Sequence, residues 1–225
     1  NGKQPLKPVN VYSKSYITIP LDSLAPGDKT LVVHVTPRSG RINAFMIDEQ
    51  GKGLRALGGD FINSASSTSK NLVIAAIPHQ ITKKQNKQIS SPHTLRILAP
   101  GDVDATITAE VISADGVFVP VGLNSRSISP GIATEFDFSP KINASAFALR
   151  ITSTEPIIAS VQSSVTISGR KDFVWSTSTP ELTPLTMAVT GLSPLLAFVG
   201  SEINVSLDVT LVNGKVIKQQ VKGSD

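Results

Sequence analysis

The apolar residues of this chain fall in short runs with a two-residue period, and each run is closed by Gly, Pro, Asn, Asp or Ser. Successive side chains on an extended backbone point to opposite faces, so a run of this kind buries one face only as a strand. Residues 105–112 show the pattern most cleanly. Ala105, Ile107, Ala109 and Val111 share one face, and Thr106, Thr108 and Glu110 share the other. Similar runs occupy residues 16–19, 31–35, 41–48, 72–74, 94–98, 134–138, 146–152, 157–161 and 172–175. Helical spacing is nearly absent, which predicts an all-β chain.

Turn chemistry punctuates these runs. Pro100-Gly101 at the centre of residues 99–102 predicts a type II turn, in which proline fixes the first φ and glycine supplies a positive second one. Asp115-Gly116 predicts a hairpin turn into Val117 and Phe118, and Ser129-Pro130-Gly131 a further turn. Set against one another, the runs suggest an internal repeat. Residues 24–46 resemble residues 128–161, while residues 196–216 resemble residues 95–117, with Val205, Leu207 and Val209 at the places of Ile107, Ala109 and Val111. The expected architecture is two antiparallel β-sandwich units of immunoglobulin-like, Greek-key type. Residues 91–189 form the central sandwich, and residues 1–90 with 190–225 close a second one from complementary half-repeats.

At 225 residues the chain can bury a real core, and with aromatics at only 5% that core must be built from Val, Ile, Leu and Ala. A net charge of +4 falls short of a nucleic-acid footprint. The densest basic cluster, Lys83, Lys84 and Lys87, has no neighbouring aromatic to stack a base. It reads as a solvated loop, or as a weak contact with an anionic surface such as cell-wall polymer or lipid headgroups. The chain has no cysteine, which removes disulfides, thiolate metal sites and cysteine nucleophiles. Its first residues, Asn1-Gly2-Lys3, carry no signal-peptide pattern, so the chain is expected to begin after a removed or omitted segment. Residues 182–201 are free of charge, but Pro184, Gly191 and Pro194 interrupt them; they read as a linker rather than a membrane span.

Candidate chemistry is sparse. His34 lies within an apolar run, and His79 and His93 flank the lysine cluster at spacings that match no metal motif. There is no Gly-x-Ser-x-Gly elbow for a serine nucleophile. Asp48, Glu49, Asp102, Asp104 and Asp115 read as turn residues, since Asp side chains bond their own following backbone. Trp175 and Phe173, on one strand face, read as core or interdomain packing, and Phe118 as core. Asn143 and Asn204 stand in glycosylation-type triplets. No catalytic, cofactor or metal residue is expected, and Lys83, Lys84 and Lys87 are the one candidate contact site.

Four segments carry a family resemblance: Val35-Thr36-Pro37-Arg38-Ser39-Gly40-Arg41-Ile42, residues 95–104, residues 114–120, and Asp172-Phe173-Val174-Trp175. They resemble an uncharacterised family of actinobacterial extracytoplasmic proteins, a domain of unknown function tethered by an N-terminal membrane segment. The resemblance implies a β-sandwich outside the cytoplasmic membrane, touching the membrane only through a segment outside this chain. The expected role is a non-catalytic envelope scaffold or protein-interaction domain, with another envelope protein or cell-wall polymer as partner. The alternative is a carbohydrate- or cell-wall-binding module, which would require exposed aromatics where these look buried.

Overall fold

The computed structural model describes residues 8–25, 27, 30–52, 55–65, 67–85, 87–181, 184, 186, 196–200 and 202–223. Among them there is no helix, and every strand pair between elements is antiparallel. The chain divides into two units, Asn1–Pro180 and Glu181–Asp225.

In the larger unit the strands are β1 (Met46–Lys52), β2 (Arg55–Ile62), β3 (Ser69–Pro78), β4 (Ile81–Lys84), β5 (Lys87–Ser90), β6 (His93–Leu98), β7 (Ala105–Ser113), β8 (Gly116–Phe118), β9 (Arg126–Ile128), β10 (Thr134–Phe138), β11 (Ala146–Ile167) and β12 (Arg170–Thr177). The organising element is β11. Residues 146–157 pair with β3 and residues 148–153 with β7, whereas residues 158–163 pair with β6 and residues 160–167 with β12. Two sheet halves therefore share one strand, which changes both partners around Pro156. Proline offers no N–H to a ladder, so the pairing hands over where the chain has nothing to donate. The sequence pattern suggested two strands here, 146–152 and 157–161; the structure joins them through the proline.

The core draws on both halves. It includes Leu72, Ile74 and Ile77 of β3, Leu95 and Ile97 of β6, Ala105, Ile107, Ala109 and Val111 of β7, and Leu149, Ile151, Ile157, Ala159 and Val161 of β11. The whole alternating face predicted for β7 is buried. On β3 the period slips, because Ile74 and Ile77 are three residues apart yet both fully buried. A bulge resolves this: Phe147 pairs with Ile77 and Leu149 with Ile74, and Ala76 takes a φ of 53°.

Several turns differ from expectation. Ser113 pairs with Gly116, so the hairpin loop is Ala114-Asp115, one residue earlier than predicted. Gly101 does not take the positive φ that a type II turn requires. Gly131 does, at 70°, in a turn closed by the Ile132 N–H to the Ser129 carbonyl at 3.3 Å. Residues 16–19 and 31–35 alternate as strands do but join no ladder among the described residues, and most of their side chains are exposed. Of the predicted strand 41–48, only the part from Met46 onward pairs.

The smaller unit holds β13 (Ile203–Thr210) and β14 (Val216–Gly223), which pair with each other through the turn at Asn213-Gly214. Most of residues 182–201 lie outside the described residues. Among those described, no helix is long and apolar enough to cross a membrane.

Candidate functional site

Lys83, Lys84 and Lys87 lie on a hairpin, not an irregular loop. Strand β4 pairs with β5 in the register Ile81↔Ser90, Thr82↔Ile89, Lys83↔Gln88 and Lys84↔Lys87. Like charges directly opposite on a ladder repel, so Lys84 facing Lys87 is unfavourable for the hairpin itself. All three lysines are exposed, and none has an ion-pair partner among the described residues.

The hairpin stands on a buried histidine pair that spacing along the sequence did not reveal. His79 enters β4 and His93 begins β6. The ladder between them brings His79 Nδ1 to 3.1 Å from His93 Nε2, with the rings stacked at 5.4 Å. His93 Nδ1 lies 2.9 Å from the Ser163 hydroxyl, and Phe138 and Phe147 pack on the rings. The chain Ser163–His93–His79 needs one proton in each link, so the two rings cannot both be cationic. It ends at His79 Nε2, which is buried with no hydrogen-bond partner among the described residues. Burial pushes His79 down, opposed by the Ile142 backbone. Burial, and then the charge of His79, lower His93 from 6.5 to about 4. The signal legible in the sequence is the pair of Pro-His steps, Pro78-His79 and Pro92-His93, bracketing a hairpin.

A Ser–His contact invites a hydrolytic reading, but Ser163 is fully buried and His93 only 1% exposed. The pair is buried beside Phe147. His34, by contrast, is exposed on the unpaired segment.

Trp175 and Phe173 pack between elements, away from the main core cluster. Gln162 of β11 faces Trp175 of β12 on one side and Thr94 of β6 on the other. The β1–β2 hairpin covers this face. Asp48 and Asp60 are directly opposed on its ladder, and both reach β12. The Trp175 indole N–H donates to Asp48 Oδ2 at 2.9 Å, and the Trp175 backbone N–H donates to Asp60 Oδ2 at 2.7 Å. The Arg96 guanidinium lies 4.6 Å from the indole centroid and donates to Glu135 at 2.5 Å. Thr30 also bonds Glu135. Gly58, at a φ of 153°, permits the close approach: a Cβ there would sit 2.2 Å from Asp172 Oδ1. Asp48, read as a turn residue, is instead a clamp on the only tryptophan.

The remaining candidates scatter. Asp115 lies in the β7–β8 turn, but its carboxylate accepts from the distant Asn143 backbone N–H at 2.5 Å rather than from its own following backbone. Asp102 lines an open depression of about 340 Å³ with Pro100, Val103, Glu155 and Pro156, while Glu155 pairs with Lys70 at 3.8 Å. No group of His, Asp or Glu among the described residues is arranged to hold a metal. Phe118, expected in the core, is exposed, and so are Asn143 and Asn204. Tyr12 and Tyr16, expected to be buried, are 75% and 74% exposed.

No curated protein matches the chain. Among solved structures, protein 1070 of Thermotoga maritima is similar over 49% of this chain and 93% of its own, at 14% identity and a TM-score of 0.38. The Anabaena sensory rhodopsin transducer is similar over 43% of this chain and 97% of its own, at 25% identity and a TM-score of 0.31. The sequence signature of one family spans nearly the whole chain, residues 5–221, and by that match the chain belongs to a family of unknown function, DUF5719.

Proposed function

We propose that this chain is a non-catalytic, extracytoplasmic domain of the cell envelope that scaffolds or binds another macromolecule. In this reading the two sheet halves joined by β11 stack as an immunoglobulin-like sandwich. The observation that carries the reading is where the strand-forming apolar residues lie. Val32, Val33, Val35, Ile42 and Phe45 are exposed on a segment with alternating pattern and no ladder among the described residues. A partner that adds a strand would satisfy that backbone and cover those side chains. The Ser163–His93 pair supports the non-catalytic half, because both groups are buried away from the surface. The test is capture of envelope proteins on the purified chain, with and without Val33→Lys and Val35→Lys. Partners retained by the parent chain and lost by the variant are expected; identical capture refutes the segment as the contact.

The exposure of Tyr12 and Tyr16 favours a second reading, a carbohydrate- or cell-wall-polymer-binding module. Trp175 does not contribute, because Arg96 covers its ring and Asp48 holds its N–H. Binding to insoluble peptidoglycan that Tyr12→Ala with Tyr16→Ala abolishes would favour the module over the scaffold.

A further inference from the structure

The lysine hairpin has a neighbour that sequence distance hides. The base of the hairpin climbs beside β11 in three steps. His93 pairs with Ser163, the Ser164 N–H donates to the Pro92 carbonyl at 3.1 Å, and the Gln80 amide exchanges two hydrogen bonds with the Thr166 backbone at 2.7 and 3.2 Å. Each step outward along the hairpin is a step along β11 toward its turn into β12 at Ser168-Gly169. That turn carries Ile167 opposite Arg170 and Thr166 opposite Lys171, all exposed. Lys83, Lys84, Lys87, Arg170 and Lys171 therefore share one end of the unit, and none has an ion-pair partner among the described residues. The one acid of that turn, Asp172, is half-buried and accepts from the Phe173 N–H at 2.9 Å.

Two isoleucines stand among these cations, Ile89 at 48% and Ile167 at 58% exposed. We propose that this end docks on an anionic lipid surface, with the five cations at the headgroups and Ile89 and Ile167 entering the interface. A soluble polyanion would reward the cations but not the isoleucines; a bilayer rewards both. The unfavourable Lys84–Lys87 opposition is relieved once anionic headgroups lie against it. The contact goes beyond the scaffold reading and does not depend on it. It also departs from the expectation that this family meets the membrane only through a segment outside this chain.

The experiment is co-sedimentation of the whole chain with vesicles of phosphatidylglycerol and phosphatidylcholine, against phosphatidylcholine alone. Binding to the anionic vesicles only, weakening with salt, is expected. At about fivefold per cation, K83E/K84E/K87E should lose on the order of 100-fold, and R170E/K171E about 25-fold. The neutral set K83Q/K84Q/K87Q, with far-ultraviolet dichroism of each variant, separates lost binding from lost folding. I89S/I167S should weaken binding several-fold at unchanged salt dependence. Equal binding to both vesicles, or by parent and K83Q/K84Q/K87Q, overturns the proposal. So does I89S/I167S binding like the parent while soluble polyphosphate displaces both, an outcome that identifies a polyanion instead.

Discussion

Acid should unfold this protein through His93, and the size of the effect follows from its surroundings. In the unfolded chain His93 titrates near 6.5; in the folded core burial, and then His79, lower it to about 4. Between those values the unfolded state binds a proton that the folded state refuses, so stability is intact above pH 6.5 and falls as the pH drops. That difference, at 1.36 kcal/mol per pH unit, amounts to about 3 kcal/mol once both states are protonated, most of it gone by about pH 4.5. His79 is lowered too and adds loss of the same sign. Protonating both rings sets two donors face to face at 3.1 Å, a geometry the pair cannot keep. Urea unfolding followed by the single Trp175 measures this directly. His93→Phe should cost about 1–3 kcal/mol at about pH 8, since Ser163 and His79 lose their partner. The same variant should be flatter than the parent between about pH 8 and about pH 4.5, by about 2–3 kcal/mol. Parallel curves for parent and variant would refute the argument, whatever the offset between them.

Other consequences are local. Asp48→Asn keeps the volume but replaces a carboxylate that accepts from Trp175, Gln162 and Gln50; a loss of about 1–2 kcal/mol and a red-shifted Trp175 emission are expected. Gly58→Ala drives a Cβ against Asp172 and Phe173, so the β1–β2 hairpin should detach from β12 and become the first site of limited proteolysis. Ala76→Val puts a β-branched residue at φ 53°, which should lower stability by about 1–3 kcal/mol in thermal unfolding, whereas Ala76→Gly should be tolerated.

Where one face of a strand is buried, the pattern was legible. Strands β6, β7 and β10 match residues 94–98, 105–112 and 134–138 to within a residue or so, because a two-residue period leaves the chain one way to bury its apolar side. Residues 16–19 and 31–35 show the limit of that logic. Alternation supplies a face but not a partner, and a strand is defined by what its N–H and C=O groups meet. Pro156 misled in the opposite sense, since a proline that ends pairing with one set of neighbours need not end the strand. The same Pro-Gly step yields a positive φ at Gly131 and not at Gly101, where Ala99 bridges to Pro130 instead. Of the site, the lysines were visible as composition. The histidine pair and the Arg170 and Lys171 neighbourhood were not, because the first depends on hairpin register and the second on which strand that hairpin climbs beside.

On this reading the Ser163–His93 contact is sealed in the core and the working surface lies elsewhere. Diethyl pyrocarbonate acts on neutral, accessible imidazoles, and all three histidines can be read by mass spectrometry after brief exposure near neutral pH. Exposed His34 should react at once, while His79 and His93 should be modified only as fast as the whole unit opens, and together. Modification of His93 at the rate of His34 in the folded protein would mean that the Ser163 site is open, and the non-catalytic account would be contradicted.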